Sequence, residues 1–449
     1  MIPDLRMKGV LLLLLSLFFL SELYGQERWS LERCIRYALQ NSTKVKKALI
    51  TNREYDIRLS TARNSRLPDL NASLGQNVYF GRGPSRDGTY KDNTQLSTSM
   101  NASASLTVFA GRRIKHDIEG RRMDLQASMQ DLDRAREDLS LQITSLFLQA
   151  LFCKELVGVA ERQVELSRVL VGRNELLRRG GRSVEAELLE SRAQLSNDEL
   201  NLAQTENNLT IALLELSQAL SRESAEDFDI EPPVLDSIGA DVLDRLERPA
   251  TIFDAAVSIR PMIRAEELRL ESSRHALQMA RAARYPQLII SGGYSNSYFY
   301  SFVPGYNNVA FFNQLRNNGN EFIGLNVNIP IFNRLATRNQ IRSARAGVEA
   351  QQIVLSETRM ALRKEIEQAY YNVHVAFKKY NASGQAVRSA TEVFNYESNR
   401  AAAGRSNMYE YNDAKTRLEK AESNMLQAKY EFIFNKKILD FYSKGIINI

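Results

Sequence analysis

A heptad pattern running from Arg112 to Ser221 constrains this chain more than any other feature. Between Arg112 and Arg179 there is no Pro, and apolar or small residues return at every seventh position. Ile118, Leu125, Leu132, Leu139, Leu146, Cys153 and Ala160 form one series. Met129, Ile143, Ala150, Val157, Val164 and Val171 form a second, offset series broken only by Arg136. Two such series make an a/d seam, so this helix must supercoil against partners. At 1.5 Å per residue it is roughly 100 Å long. Gly180-Gly181-Arg182-Ser183 interrupts it, and from Val184 a second helix carries Leu188, Leu195, Leu202, Leu209 and Leu216 at the same spacing. A helical hairpin of this length has no place inside a compact domain.

The hairpin occurs twice. A shift of 223 positions carries Phe109 onto Phe332 and Gly181 onto Gly404. The first seam becomes Ile341, Val348, Leu355, Leu362, Ala369 and Ala376, and the leucine series becomes Tyr411, Leu418, Met425, Phe432 and Leu439. Chance periodicity in an ordinary bundle would not keep register over so long a stretch, so one architecture is duplicated.

The rest of the chain fits around the hairpins. Residues 1–25 read as a secretory signal: Arg6 and Lys8 precede an apolar run from Val10 to Leu20, too short to span a bilayer. A first repeat follows over 26–222, with N-terminal helices, a strand pair over 69–109 and a helical hairpin over 112–222. Ser30 is placed to cap the first helix. In the second strand Leu96, Met100, Ala102, Ala104, Leu106 and Val108 alternate with Ser97, Ser99, Asn101, Ser103, Ser105 and Thr107. Residues 223–253 are acidic, Pro-bearing and aperiodic, and read as a linker. A second repeat over 254–449 replays the order: a helix from about Arg260 to Arg284, a strand pair over 287–332 around an aromatic, Asn-rich loop, a hairpin over 334–442 and a short tail.

The strands, at about 11 to 13 residues, are long enough to cross a bilayer when tilted. Their alternation suits a barrel wall between lipid and a wet lumen, and equally a half-exposed soluble sheet. The signal sequence and the long charged helices favour the barrel. Four strands cannot close around a lumen, and an open edge in hydrocarbon leaves backbone groups unsatisfied, so copies must join. The helices then continue the wall as a water-filled tube outside the membrane.

Taken together these segments resemble a known family, the TolC-type outer-membrane efflux factors. The resemblance is carried by Trp29-Ser30-Leu31-Glu32-Arg33-Cys34, Arg66-Leu67-Pro68-Asp69-Leu70, Val108-Phe109-Ala110-Gly111-Arg112-Arg113, Arg260-Pro261, Ala280 to Leu288, Ile329-Pro330-Ile331-Phe332-Asn333 and both glycine turns, in order and spacing. It implies a mainly α fold with a small β part: a homotrimer whose barrel sits in outer-membrane lipid and continues as a periplasmic α-helical tunnel. It further implies a periplasmic adaptor and an inner-membrane pump as partners. By alignment, the adaptor-docking tips fall on Gly181, Arg182 and Ser183 and on Gly404, Arg405 and Ser406. The acidic pore constriction falls on Glu410 and Asp413, with Glu187 as an acidic partner; without the resemblance these three read as solvated helix-face residues. Ser406 stands where the family's latch arginine is expected and Ala401 where its tyrosine neighbour is, leaving Arg405 or Arg182 as substitutes.

Other classes are disfavoured. No phosphate-binding loop, HExxH or GxSxG occurs, so neither an ATPase nor another enzyme is expected, and no cofactor. The net charge of +6 is scattered over helix faces, so no nucleic-acid partner is expected. Cys34 and Cys153 read as small core residues. His116, His275 and His374 are far apart in sequence on separate helices, so no metal site is expected. The function expected is passive export of small molecules through an outer-membrane duct. Two alternatives stay open: the duct of a type I protein secretion system, or a soluble periplasmic coiled-coil adaptor.

Overall fold

The computed structural model describes residues 28–84, 88–180, 185–224, 226–232, 238–239, 242–403, 405 and 407–445. The signal sequence over 1–25 and the tip residues Gly181, Arg182, Ser183, Gly404 and Ser406 lie outside them. In chain order the elements are β1 (Arg28–Trp29), α1 (Leu31–Asn41), α2 (Thr43–Asn64), β2 (Asp69–Tyr79), β3 (Arg82–Pro84), β4 (Tyr90–Asp92), β5 (Gln95–Phe109), α3 (Arg113–Arg179) and α4 (Glu185–Ala219). There follow β6 (Asp229–Ile230), α5 (Pro249–Ile259), α6 (Pro261–Ala282), β7 (Gln287–Ser301), α7 (Phe311–Asn317), β8 (Asn320–Asn328), α8 (Ala336–Ala402) and α9 (Met408–Lys444). The expected duplication is present: α3 and α8 are each 67 residues long. The chain divides into two units, one of residues 1–49, 131–263 and 358–449, the other of 50–130 and 264–357.

The second unit holds an antiparallel sheet in the order β2-β5-β7-β8. Its register places Leu74 opposite Met100, and Leu106 and Leu325 opposite Ile290, so apolar residues share one face. Ser73, Asn101 and Ser295 line the other with Asn320. A soluble sheet would bury the apolar row. Here Leu70 is 78% exposed, Leu74 72%, Ile323 91% and Leu325 64%, with Ser and Asn on the opposite face. That is a wall with an apolar outer surface. β8 starts opposite Ser295, so β7 continues past it without a strand on that side. Side-chain amides take the strand's place. Asn318 donates to Ser297 O (2.7 Å). Gln314 accepts from Phe299 N–H (2.9 Å) and donates to Phe299 O (2.7 Å). Asn308 does the same at Ser301 (2.7 and 2.8 Å). The loop expected to be irregular therefore contains α7, which positions Gln314.

The strand-to-helix junctions repeat as well. Gly111 and Arg112 have φ of +59° and +67°, and the residues 223 positions on, Arg334 and Leu335, have +54° and +64°. The reversal belongs to the architecture, since the second copy forms it without Gly. Gly111 has a further reason: a Cβ there would stand 2.8 Å from Tyr285 Cβ and 2.9 Å from Ala282 O.

The first unit is mainly the helical seam. Leu132, Leu139, Ile143, Ala150 and Val164 of α3 are buried, as are Leu362, Ile366, Val373 and Ala376 of α8 and Leu418, Phe432 and Leu439 of α9. Leu195, Leu202 and Leu209 of α4 are half-buried in the single chain. With no run of 18 apolar residues beyond the signal segment, no transmembrane helix is expected from the sequence. α3 nevertheless contains a window long and apolar enough to cross a membrane by composition, and half of it is buried within the protein. Cys34 and Cys153 are both free and buried. Among the described residues of 223–253, β6 and the start of α5 are formed, where a linker is expected. β6 pairs in parallel with β1, and Phe228 packs edge-on against Trp29 (5.6 Å). Pro249 opens α5, so the expected boundary at 253 falls inside a helix. The helix expected from Arg260 starts instead at Pro261, because Pro holds its predecessor in extended backbone (Arg260 φ −75°, ψ 124°). Arg260, 3% exposed, donates to Phe441 O, pairs with Glu137 (3.2 Å) and stacks on the Phe441 ring (3.9 Å). We predict that Gly111→Ala destabilises the protein by about 1–3 kcal/mol through forced φ and clash. Thermal unfolding of the detergent-solubilised protein checks this; an unchanged midpoint would show that the junction tolerates a side chain.

Candidate functional site

The residues singled out at the hairpin ends lie in the first unit, where α3, α4, α8 and α9 terminate. Packing between α3 and the α8–α9 hairpin sets their positions. Leu170, Phe394, Tyr411, Ala414 and Leu418 form a buried cluster, with Leu166, Ala390, Ala401 and Met408 against it. Alanines at 390, 401 and 414 let the helices approach, and the Phe394 and Tyr411 rings meet at 5.5 Å. Burial pushes the Tyr411 hydroxyl pKa up.

Polar groups close the helix ends above this cluster. Asn407 caps α9, its Oδ1 accepting from Glu410 N–H (2.8 Å), so Glu410 sits in the first turn at the positive end of the helix dipole. Arg400, in the last turn of α8, pairs with Glu397 (2.8 Å) and reaches Glu410 (3.5 Å). The Glu397 hydrogen bond in particular holds Arg400 more firmly protonated than usual. Asp413, one turn beyond Glu410, pairs with Arg417 (2.8 Å). Glu187 lies exposed in the first turn of α4. Arg173 of α3 donates to the carbonyls of Ala401 (2.6 Å) and Ala402 (3.1 Å), capping the end of α8. Arg405, one of two residues expected to replace the latch arginine, is exposed and joins Arg400 through its backbone: its N–H donates to Arg400 O (2.9 Å) and its carbonyl accepts from the Arg400 guanidinium (3.1 Å). The other, Arg182, lies outside the described residues. Among the described residues, Arg173 and Arg400 each have a guanidinium that reaches across helix ends, as does Arg178 of α3 toward Glu185 of α4 (3.3 Å), and sequence reasoning missed all three. Glu397 three residues before Arg400 was visible in the sequence, but the reach to Glu410 depends on hairpin geometry.

Deeper in the bundle lies a charged node that the seam pattern gave no sign of. Lys415 of α9, 2% exposed, donates to Ser167 Oγ of α3 (2.6 Å) and to the Asp198 carboxylate of α4. Ser167 in turn donates to Asp198 (2.6 Å), and Gln194 donates to its other oxygen (2.8 Å). One turn on, Asn201 donates to Glu419 (2.8 Å), whose pKa burial and the Asp198 charge push up. Both carboxylate oxygens of Asp198 thus have donors, one from α3 and α9 and the other from α4 itself. We predict that Lys415→Met, which strands a buried carboxylate, destabilises by about 3–5 kcal/mol, and that adding Asp198→Leu recovers most of that loss. Unfolding midpoints of the three proteins decide it: a double variant no better than the single removes the charge pair as the cause.

The described residues hold no group of three or more His, Cys, Asp or Glu arranged for a metal ion. His116 and His275, expected to lie apart, are brought together in the second unit, with Nδ1 atoms 3.1 Å apart. Comparison with known proteins gives the site its context. The chain is 25% identical over 275 residues to protein CyaE of Bordetella pertussis, a match covering 60% of this chain and 55% of CyaE. It is 25% identical over 360 residues to the pyoverdine export outer membrane protein OpmQ of Pseudomonas putida, covering 77% of this chain and 69% of OpmQ. The chain thus spans little more than half the length of CyaE. In structure it is similar to the CmeC outer membrane channel of Campylobacter jejuni, with a TM-score of 0.76 at 17% identity over 92% of this chain and 85% of that one. That likeness shows the fold. The family profile described as "Outer membrane efflux protein" matches residues 34–222 and 253–435, both repeats and most of the chain, and the protein belongs to the outer membrane efflux protein family.

Proposed function

We propose that the protein is the outer-membrane exit duct of a tripartite export system, passing small molecules delivered by an inner-membrane pump through a periplasmic adaptor. The observation that carries this reading is the sheet, whose apolar face is exposed and whose β2 and β8 edges have no strand beyond them among the described residues. In hydrocarbon such edges cost several kcal/mol per unpaired group, so copies close them by pairing β8 of one with β2 of the next. The half-buried leucines of α4 await the same neighbours. A soluble adaptor has no use for such a sheet. OpmQ, an export protein by name, supports transport as the task. Catalysis has no part in this reading: the duct is passive. In mild detergent the protein is expected to run as a trimer, and a stable detergent-free monomer would overturn the reading.

The helix ends then form the periplasmic mouth, with residues 181–183 and 404–406 meeting the adaptor. Glu410 and Asp413 are three apart on one helix face. Repeated around an axis with Glu187, they put carboxylates at the entrance, where a narrow passage focuses their field on cations. Arg400 and Arg417 offset that charge locally. Glu410→Ala with Asp413→Ala is expected to lower cation selectivity, and Arg417→Gln to raise it. Reversal potentials across a salt gradient in planar bilayers measure both. Unchanged selectivity in all variants would leave Glu410 and Asp413 as solvated helix-face residues.

A further inference from the structure

His116 lies at the start of α3, directly after β5, and His275 on α6, directly before β7. The two strands pair with each other, Phe109 opposite Leu288 at the end nearest these helices. Gly120 marks a close approach of the helices, since a Cβ there would stand 3.6 Å from His275 Cβ. The imidazoles meet across this approach with Nδ1 atoms 3.1 Å apart. Their ring centres are 5.4 Å apart, which is that separation plus a ring radius at each end, so the nitrogens face head-on. Two ligands of one tetrahedral metal would converge at an angle and bring the ring centres closer. A head-on line of this length is that of an N–H···N hydrogen bond, which takes one proton.

We propose that His116 and His275 form a proton-operated clasp between α3 and α6, closed by one proton shared on the Nδ1–Nδ1 line and opened when a second proton arrives. With one proton the rings adopt opposite roles, one Nδ1 donating and the other accepting. With a proton on each Nδ1, two N–H groups oppose each other with no lone pair between them, at least one ring is a cation, and the rings must part. The surrounding charges reinforce this. Burial first, then the charges of His275, Lys115 and Arg112, hold the His116 pKa below its ordinary value, with Glu119 opposing. The other acids nearby are engaged: Asp117 with Arg121, Glu119 with Arg122, and Glu271 with Arg274 on α6. On α2, Leu59 and Ala62 pack against Ile118 of α3. A lowered folded pKa means the clasp contributes fully above the ordinary imidazole value near 6.5 and is lost as pH falls through the lowered one.

A double-mutant cycle on the full-length assembled protein in detergent tests this: His116→Gln, His275→Gln and both, melted at pH 8 and pH 5. At pH 8 the melting-point losses are expected to be non-additive by several degrees, each single variant already losing the whole clasp. At pH 5 that coupling is expected to vanish or reverse sign. Additive losses at pH 8, or the same coupling at both pH values, would overturn the proposal, as would coupling that disappears on adding EDTA, which would reveal a bridging metal. The unsubstituted protein gives an independent check, because the chain has only three histidines. In 15N-histidine solid-state spectra at pH 8, the coupled pair should show one protonated and one bare Nδ1. Two bare or two protonated Nδ1 signals from the pair would refute the shared proton.

Discussion

A strand in hydrocarbon cannot leave its backbone groups unpaired, and most of this molecule follows from that. The sheet is four strands wide with apolar side chains turned outward, a surface that only lipid matches and a width that no single chain can close. Continuing those strands into helices requires the tight junctions at Gly111-Arg112 and Arg334-Leu335, each taking two successive residues into left-handed backbone. The helices then need a seam, since charged residues along their length suit water and only the heptad positions can be buried. In the proposed assembly, edge pairing and the seam together make the isolated chain incomplete.

Within the helical unit, specificity comes from polar contacts set into an otherwise interchangeable apolar stripe. A stripe of Leu, Ile and Val tolerates slipping by a heptad. The Lys415–Asp198–Ser167 node does not, because a slipped register would leave two charges buried without partners. Arg260 plays a similar part where α5 gives way to α6, tying that break to Glu137 on α3 and Phe441 on α9.

What was legible in the sequence was whatever repeats. The seam, the strand alternation and the 223-residue shift all extend over many residues, and the elements fall close to the expected limits. Ser30 caps α1 as its position indicated, its Oγ accepting from Arg33 N–H (3.3 Å). Short or long-range features were not legible. β6 has two residues, too few to show alternation, and α5 is hidden by the Pro-bearing sequence around it. At the hairpin ends the acids could be placed by resemblance, but their arginine partners could not: Arg400 reaches Glu410 only because the turn folds back. His116 and His275 are separated by 159 positions, and no spacing rule joins them.

The amides along the upper part of β7 have a consequence for how copies find each other. An unpaired stretch of strand beside β8 would be a decoy, inviting a neighbour's strand to add there one step out of place. Asn308 and Gln314 occupy the donor and acceptor of Ser301 and Phe299, and Asn318 the Ser297 carbonyl, with short side chains that cannot be extended into another ladder. In the proposed assembly the decoy is thereby closed before any neighbour arrives, and β8 is left as the attachment edge on that side of the sheet. Correct closure of the wall is thus helped by a loop that forms no strand itself.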